Sequence, residues 1–206
     1  MEEEQLKIFD ENRTPIGTAA RSEVHKKGLW HETFHCWIVS EQDGQSYLYL
    51  QIRSPLKKDY PNLLDITAAG HLLAHEDAKD GVREMEEEIG IQVEIEELIH
   101  LGVFHYEMNN GDILDKEFAH TFLYKKTMDF KEFHLQEEEV AGIVSTKLAD
   151  FYDLWQGRKE LIEVNGFELN SRGEKIKIHR KVGRENFAPH PISYYKRLIQ
   201  AFKEKV

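Results

Sequence analysis

The order of apolar and polar positions divides the chain into short strand-like runs and a few helical stretches. Phe34–Ser40 (FHCWIVS), Ser46–Arg53 (SYLYLQIR) and Asp65–Ala69, leading into Gly70, are rich in β-branched and aromatic residues and predict strands, with Asp43-Gly44 as a turn between the first two. Ala78, Val82, Met85 and Ile89 recur at steps of four, three and four, which predicts a helix over 77–89, and Gly90 stands where a C-terminal cap belongs. Glu97–Glu107 and Lys116–Lys125 predict a hairpin around Asn109-Asn110-Gly111-Asp112. Beyond it come a strand at Glu139–Thr146, a short helix at Leu148–Trp155, a basic strand at Glu174–Val182 and a helix from about Ser193 to Glu204. Strands mixed with three helices predict an α/β or α+β sandwich, a mixed β-sheet between helices.

Composition narrows this picture. The 206 residues, 40% of them hydrophobic, suit one domain of ordinary size with a proper core. The net charge of −11 argues against a nucleic acid polymer or an anionic membrane as the main partner. The charge is uneven: residues 171–206 hold ten Lys/Arg against three Glu, which leaves −18 on the first 170. Cys36 is the lone cysteine, so neither an intramolecular disulfide nor a Cys-based metal cluster is available. No secretory signal pattern and no apolar stretch near 18 residues is visible, and a cytoplasmic location is expected.

The informative segment is Gly70–Ile91, GHLLAHEDAKDGVREMEEEIGI. At roughly 100° per residue, Glu84, Glu87 and Glu88 fall within about a 100° arc, away from the apolar stripe. Three carboxylates on one face repel one another, and a hard divalent cation such as Mg²⁺ or Mn²⁺ would relieve that repulsion while keeping positions open for phosphate oxygens. Arg83, directly before them, can hold a carboxylate by a forked ion pair.

Arg83-Glu84-Met85-x-Glu87-Glu88-x-Gly90-Ile91 resembles the second half of the Nudix box, REUXEEXGU with U aliphatic, and Gly70 with Glu76 matches its opening, GX5E. Six residues, Asp77 to Val82, stand where the family usually has seven. The resemblance implies a Nudix fold and metal-dependent cleavage of a diphosphate joined to another group. It implies Glu84, Glu87 and Glu88 as metal ligands oriented by Arg83. One domain is expected over residues 1–206, its core at about 30–165, with a short N-terminal strand region and a basic C-terminal strand-helix extension.

A second resemblance is to isopentenyl-diphosphate isomerases, which are Nudix-fold enzymes. It rests on Arg53-x-x-x-Lys57-Lys58-x-x-Pro61, Gly70-His71, His25, His31, Tyr106 and Asp115-x-Glu117. It implies a second metal site on His25, His31, His71, Asp115 and Glu117, and substrate binding by Arg53, Lys57 and Tyr106. Ala69 occupies the position of the isomerase cysteine, and Glu84 stands where the isomerases commonly have Arg. These departures favour a hydrolase on an isomerase-like frame, acting on a nucleoside-diphosphate-like or other organic diphosphate. An isomerase and a catalytically silent nucleotide sensor remain the alternatives, and self-association into a homodimer is left open. Three further expectations attach to this frame. The acidic run Glu137, Glu138 and Glu139 reads as a solvated loop end with one of the three as a secondary candidate for general base, Trp30 is a candidate for the substrate entrance, and the basic segment EKIKIHRKVGR is expected near the cleft.

Overall fold

The computed structural model describes residues 4–109 and 114–206. Its strands are β1 (Gln5–Phe9), β2 (Pro15–Ala20), β3 (Trp30–Gln42), β4 (Gln45–Arg53), β5 (Leu64–Asp65), β6 (Ala68–His71), β7 (Ile99–Asn109), β8 (Leu114–Lys125), β9 (Val140–Lys147), β10 (Ile162–Leu169) and β11 (Lys175–Val182). Its α-helices are α1 (Arg21–Lys27), α2 (Arg83–Ile89), α3 (Leu148–Trp155) and α4 (Ile192–Lys205). The strands form one mixed sheet of order β11-β10-β9-β4-β3-β1-β2, with β6 and β8 also on β3, β5 on β4 and β7 on β8. Among these pairings β3 with β8 is parallel and the rest are antiparallel.

Strand β3 is the axis of the molecule because both its faces are buried, which is why its sequence reads as an almost unbroken apolar run. Phe34, Cys36 and Ile38 pack with Met85 and Ile89 of α2 on one side. Trp37 and Val39 face the other layer, where Phe151 and Leu154 of α3 meet Tyr194, Leu198 and Phe202 of α4. The spacing of those last three residues is that of one helical face. The sheet is thus sandwiched between helices, as expected.

Several elements differ from the sequence expectation. The helix expected over 77–89 is α-helical only from Arg83, preceded by a 3-10 turn at Asp80–Val82. The backbone N–H of Asp77 donates to Asp80 Oδ2 at 2.8 Å and that of Lys79 to Asp77 Oδ1 at 2.7 Å, local bonds that compete with the helical ladder. Helix α1 and strand β10 were not foreseen. In β10 the Asn165-Gly166 pair reads as a turn, yet a Cβ on Gly166 would lie 2.0 Å from the Ile143 carbonyl oxygen, so this glycine permits close strand approach. The hairpin turn expected at 109–112 lies almost wholly outside the described residues. The strand expected at Asp65–Ala69 is two short pieces: Thr67 leaves the ladder, its hydroxyl donating to Tyr49 O at 2.6 Å and accepting from Ile38 N at 3.0 Å. The chain there crosses from β4 to β3, and the cavity opens at this crossing.

Candidate active site

A cavity of about 470 Å³ is walled by α2, the β5–β6 crossing, the 53–60 loop, β8 and a stretch near residue 190. One wall is a shelf of carboxylates built by a single segment. Arg83 donates to Glu76 at 2.7 and 3.0 Å, to Glu84 at 2.6 Å, to Glu87 at 3.0 Å and to the His71 carbonyl at 3.1 Å. Glu76 also accepts the Leu73 N–H, so it anchors the loop and Arg83 together despite the spacing of six. Glu88 accepts the Ala69 N–H at 3.0 Å and lies 3.4 Å from Gln51 Nε2.

The shelf depends on Gly70, where a Cβ would stand 2.1 Å from the Glu84 carboxyl carbon. Burial pushes the Glu84 carboxyl up to about 7, with Glu87 adding to it against the opposing Arg83. Burial and the neighbouring Glu84 push Glu88 up to about 8. Carboxylates this close and this dry fit a bound cation, which would take the place of the shared protons. Glu87 is exposed and completes the set from the rim.

The opposite wall is a cluster drawn from four segments. The pairing of β3 with its neighbours sets His31 beside Glu117 and Thr33 beside His71, and α1 adds His25. His25 Nε2 and His71 Nε2 are 3.1 Å apart, His31 Nε2 is 3.4 Å from Asp115 Oδ1, and His25 Nε2 is 3.9 Å from the same oxygen. The potential ligand atoms of His25, His31 and His71, and those of His31, Asp115 and Glu117, lie within 4.8 Å of one another. His31 Nδ1 donates to the Leu29 carbonyl at 3.0 Å, which leaves Nε2 as a lone-pair donor.

That His31 nitrogen and Asp115 Oδ1 are buried without hydrogen-bond partners. Burial lowers His25 to about 4 and lowers His31 and His71 as well, so neutral imidazoles face the cluster. Asp115 is raised by burial and by Glu117, whereas Glu117 is held low, against its burial, chiefly by its hydrogen bond with His35. Glu117 Oε2 accepts from Thr33 at 2.9 Å and from the Tyr106 hydroxyl, and lies 3.2 Å from His35 Nε2. Three imidazoles and two carboxylates around orphaned buried atoms fit a transition-metal ion such as Mn²⁺.

Other expected residues are placed differently. Arg53 lines the cavity, but its guanidinium donates to the Asp59 and Tyr60 carbonyls and to Asp65 at 2.9 Å, bracing the loop. Lys57 pairs with Glu139. Of the acidic run 137–139, Glu139 is the member in the cavity, and its Oε1 is buried without a partner. Trp30 does not line the cavity; it stacks on Phe118 at 4.6 Å under Lys116. The basic strand β11 does not reach the cavity either: Arg180 pairs with Glu168 and Lys175 binds the Phe130 and Phe133 carbonyls at the end of the sheet. The loop that follows it does, through Ala188 and His190.

Several cavity residues were missed, among them Arg21, His35 and His190. Arg21 stands one helical turn before His25, a spacing that would have pointed to it. His35 follows His31 and Thr33 at the strand period of two, a visible signal. His190 carried none.

The NUDIX domain family model matches residues 29–164. An uncharacterized Nudix hydrolase of Clostridium acetobutylicum is 37% identical over 204 residues, covering 99% of each chain. An isopentenyl-diphosphate Δ-isomerase of Aliivibrio fischeri is 33% identical over 144 residues, 68% of this chain and 78% of its own. Among solved structures, a MutT/nudix family protein of Enterococcus faecalis aligns with a TM-score of 0.55 at 14% identity over 84% of this chain and 61% of its own. A Deinococcus radiodurans protein aligns with a TM-score of 0.53 at 18% identity over 69% and 82%. Both show the fold. The chain therefore belongs to the Nudix family, within its hydrolase class. Among the described residues, no helix is long and apolar enough to cross a membrane.

Proposed function

We propose that this protein is a divalent-metal-dependent hydrolase that cleaves the diphosphate linkage of a small organic diphosphate. The observation that carries the reading is the shelf of Glu84, Glu87 and Glu88, gathered by Arg83 and admitted by Gly70 to one wall of the cavity. These three carboxylates would hold Mg²⁺ or Mn²⁺, and the bound ion would polarise a phosphoryl oxygen and offset charge on the diphosphate. Lys57 and Arg21 add positive charge along the same cavity. Arg53 acts chiefly by holding the 59–60 backbone in place. Glu139, which lines the same cavity, would accept the proton of the attacking water.

The histidine cluster favours a second reading, an isomerase of isopentenyl diphosphate, since it resembles that branch and a relative of that name is 33% identical. Proton chemistry of that kind lacks its thiol. Ala69 lines the cavity, while Cys36 lies buried among Phe34, Met85 and Ile89 with its thiol pushed up by burial.

The test is phosphate release from a panel of organic diphosphates with Mg²⁺ or Mn²⁺, alongside exchange of solvent deuterium into isopentenyl diphosphate. Glu87→Gln changes an exposed side chain, so the variant is expected to fold and to lose about 10²-fold or more in divalent-dependent release. Wild-type release by that variant would sink the metal assignment, and deuterium exchange without release would establish the isomerase.

A further inference from the structure

Tyr194 sits on α4, beyond residue 164 where the matched family region ends, and its ring packs against Phe104, Tyr106 and His190. Packing explains the ring. The hydroxyl has partners of its own, His35 Nδ1 at 2.9 Å and the Trp37 indole nitrogen at 3.3 Å. His31, Thr33 and His35 follow one another at the strand period of two on β3, so they share a face. His35 Nε2 is 3.3 Å from the Thr33 hydroxyl oxygen, and Thr33 in turn donates to Glu117 Oε2 at 2.9 Å.

The direction of this series of bonds is set from both ends. Glu117 Oε2 takes the hydroxyl protons of Thr33 and Tyr106, and an ionised carboxylate has none to give. With the Thr33 proton committed to Glu117, the Thr33 oxygen accepts and His35 Nε2 carries the ring proton. At the other end the Trp37 indole can only donate, and it does so to the Tyr194 oxygen. The tyrosine proton then goes to His35 Nδ1, the lone-pair nitrogen of a neutral ring. Both ends require the same tautomer, and each donor in the series Tyr194, His35, Thr33 points toward Glu117. The Nε2 proton is shared with Glu117 Oε2 itself, 3.2 Å away, so His35 orients that carboxylate and is not a metal ligand. With His35 3% and Tyr194 2% exposed, the bond between them is shielded from water.

We propose that Tyr194 is a positioning residue for the histidine cluster: through His35 and Thr33 it fixes the Glu117 carboxylate that, with His31 and Asp115, would hold a transition-metal ion. The C-terminal helix, outside the matched region, thereby sets the affinity of a site it does not enter. This inference rests on the reading of the cluster as a metal site and adds a residue that tunes it.

Tyr194→Phe tests it, because the ring and its packing stay while the hydroxyl goes. The readout is calorimetric titration with Mn²⁺ in saturating Mg²⁺, which occupies the carboxylate shelf, and His25→Gln marks the Mn²⁺ site that belongs to the cluster. Tyr194→Phe is expected to weaken that Mn²⁺ site about tenfold and to leave Mg²⁺ binding, titrated alone, unchanged. His35→Ala is expected to weaken it at least as much. Adding Tyr194→Phe to His35→Ala is then expected to cost nothing further, because the hydroxyl acts only through the imidazole. An unchanged Mn²⁺ site in Tyr194→Phe overturns the proposal, as does equal weakening of Mg²⁺ and Mn²⁺, or an equal loss in the His35→Ala background. Nitrogen-15 NMR of the metal-free wild type is expected to show His35 protonated on Nε2 alone. A ring protonated on Nδ1 overturns the proposal even if Tyr194→Phe does not fold. A wild type with no Mn²⁺ site sensitive to His25→Gln overturns the metal reading of the cluster together with this inference, whereas each of the other failures leaves that reading standing.

Discussion

The two walls of the cavity bring potential metal ligands together by opposite means. The carboxylate shelf comes from one segment, Gly70–Glu88, in which a seven-residue helix presents the acids and one arginine ties them to the preceding loop. The histidine cluster takes His25 from α1, His31 from β3, His71 from β6, and Asp115 and Glu117 from β8, so nothing smaller than the sheet assembles it. A local site tolerates changes elsewhere but is sensitive to any atom added within its own segment. A site assembled through strand register is set by long-range pairing, and its ligands are individually replaceable without moving the others.

The sharpest way to break this contrast is Gly70→Ala. The added Cβ would meet the end of the Glu84 side chain and not backbone, so the fold can yield by rotating that carboxylate out of place. Stability is expected to change little, by about 1 kcal/mol or less, while kcat/KM falls about 10²-fold, because a displacement of about 1 Å in a reacting site costs that much. Thermal unfolding and phosphate release measured on the same sample check it. A variant with full activity would mean that Glu84 is not a ligand in the working enzyme.

A crossed experiment separates the walls. His25→Gln is expected to lower Mn²⁺ or Zn²⁺ affinity at the histidine cluster about 10²-fold while leaving a Mg²⁺ site on the shelf, and Glu87→Gln is expected to do the reverse. Metal content after dialysis and calorimetric titration of each variant give the readout. If both variants weakened both metals equally, the walls would act as one centre and the comparison above would collapse.

The same contrast governs what the sequence disclosed. The shelf was legible because helix period and motif spacing are local quantities: Glu84, Glu87 and Glu88 share a face whatever the rest of the chain does. The histidine cluster was legible only through resemblance, since no periodicity links His25 to His71 or either to Asp115. Most strands were recognised from their β-branched runs, but β10 was hidden by a glycine that serves close packing and not a turn. The expectation that the basic segment EKIKIHRKVGR lies near the cleft failed. Its lysines and arginines face outward on an edge strand, and a histidine between two prolines reaches the cavity. Charge counting cannot distinguish those outcomes, because it carries no information about which loop returns to the sheet.

Acid–base behaviour provides the subtlest test of the two walls. Glu84 and Glu88 titrate at about 7 and about 8 in the folded chain against 4.5 for an ordinary glutamate, so the metal-free fold holds protons that the unfolded chain has lost. Their contribution is present below the unfolded value and disappears as pH rises through 7 and 8. Asp115, also raised, adds in the same direction. The histidines run the other way: His25 is lowered to about 4 from 6.5, so its contribution is present above 6.5 and disappears as pH falls toward 4. Metal-free protein in EDTA is therefore expected to have its highest Tm near pH 6 to 7, and to lose roughly a few degrees by about pH 9. Saturating Mg²⁺ replaces the protons on the shelf, so the alkaline decline should shrink while the acid decline persists. An alkaline limb unaffected by Mg²⁺ would show that the carboxylates of α2 do not hold the ion, and the shelf would then differ from the histidine cluster in composition but not in role.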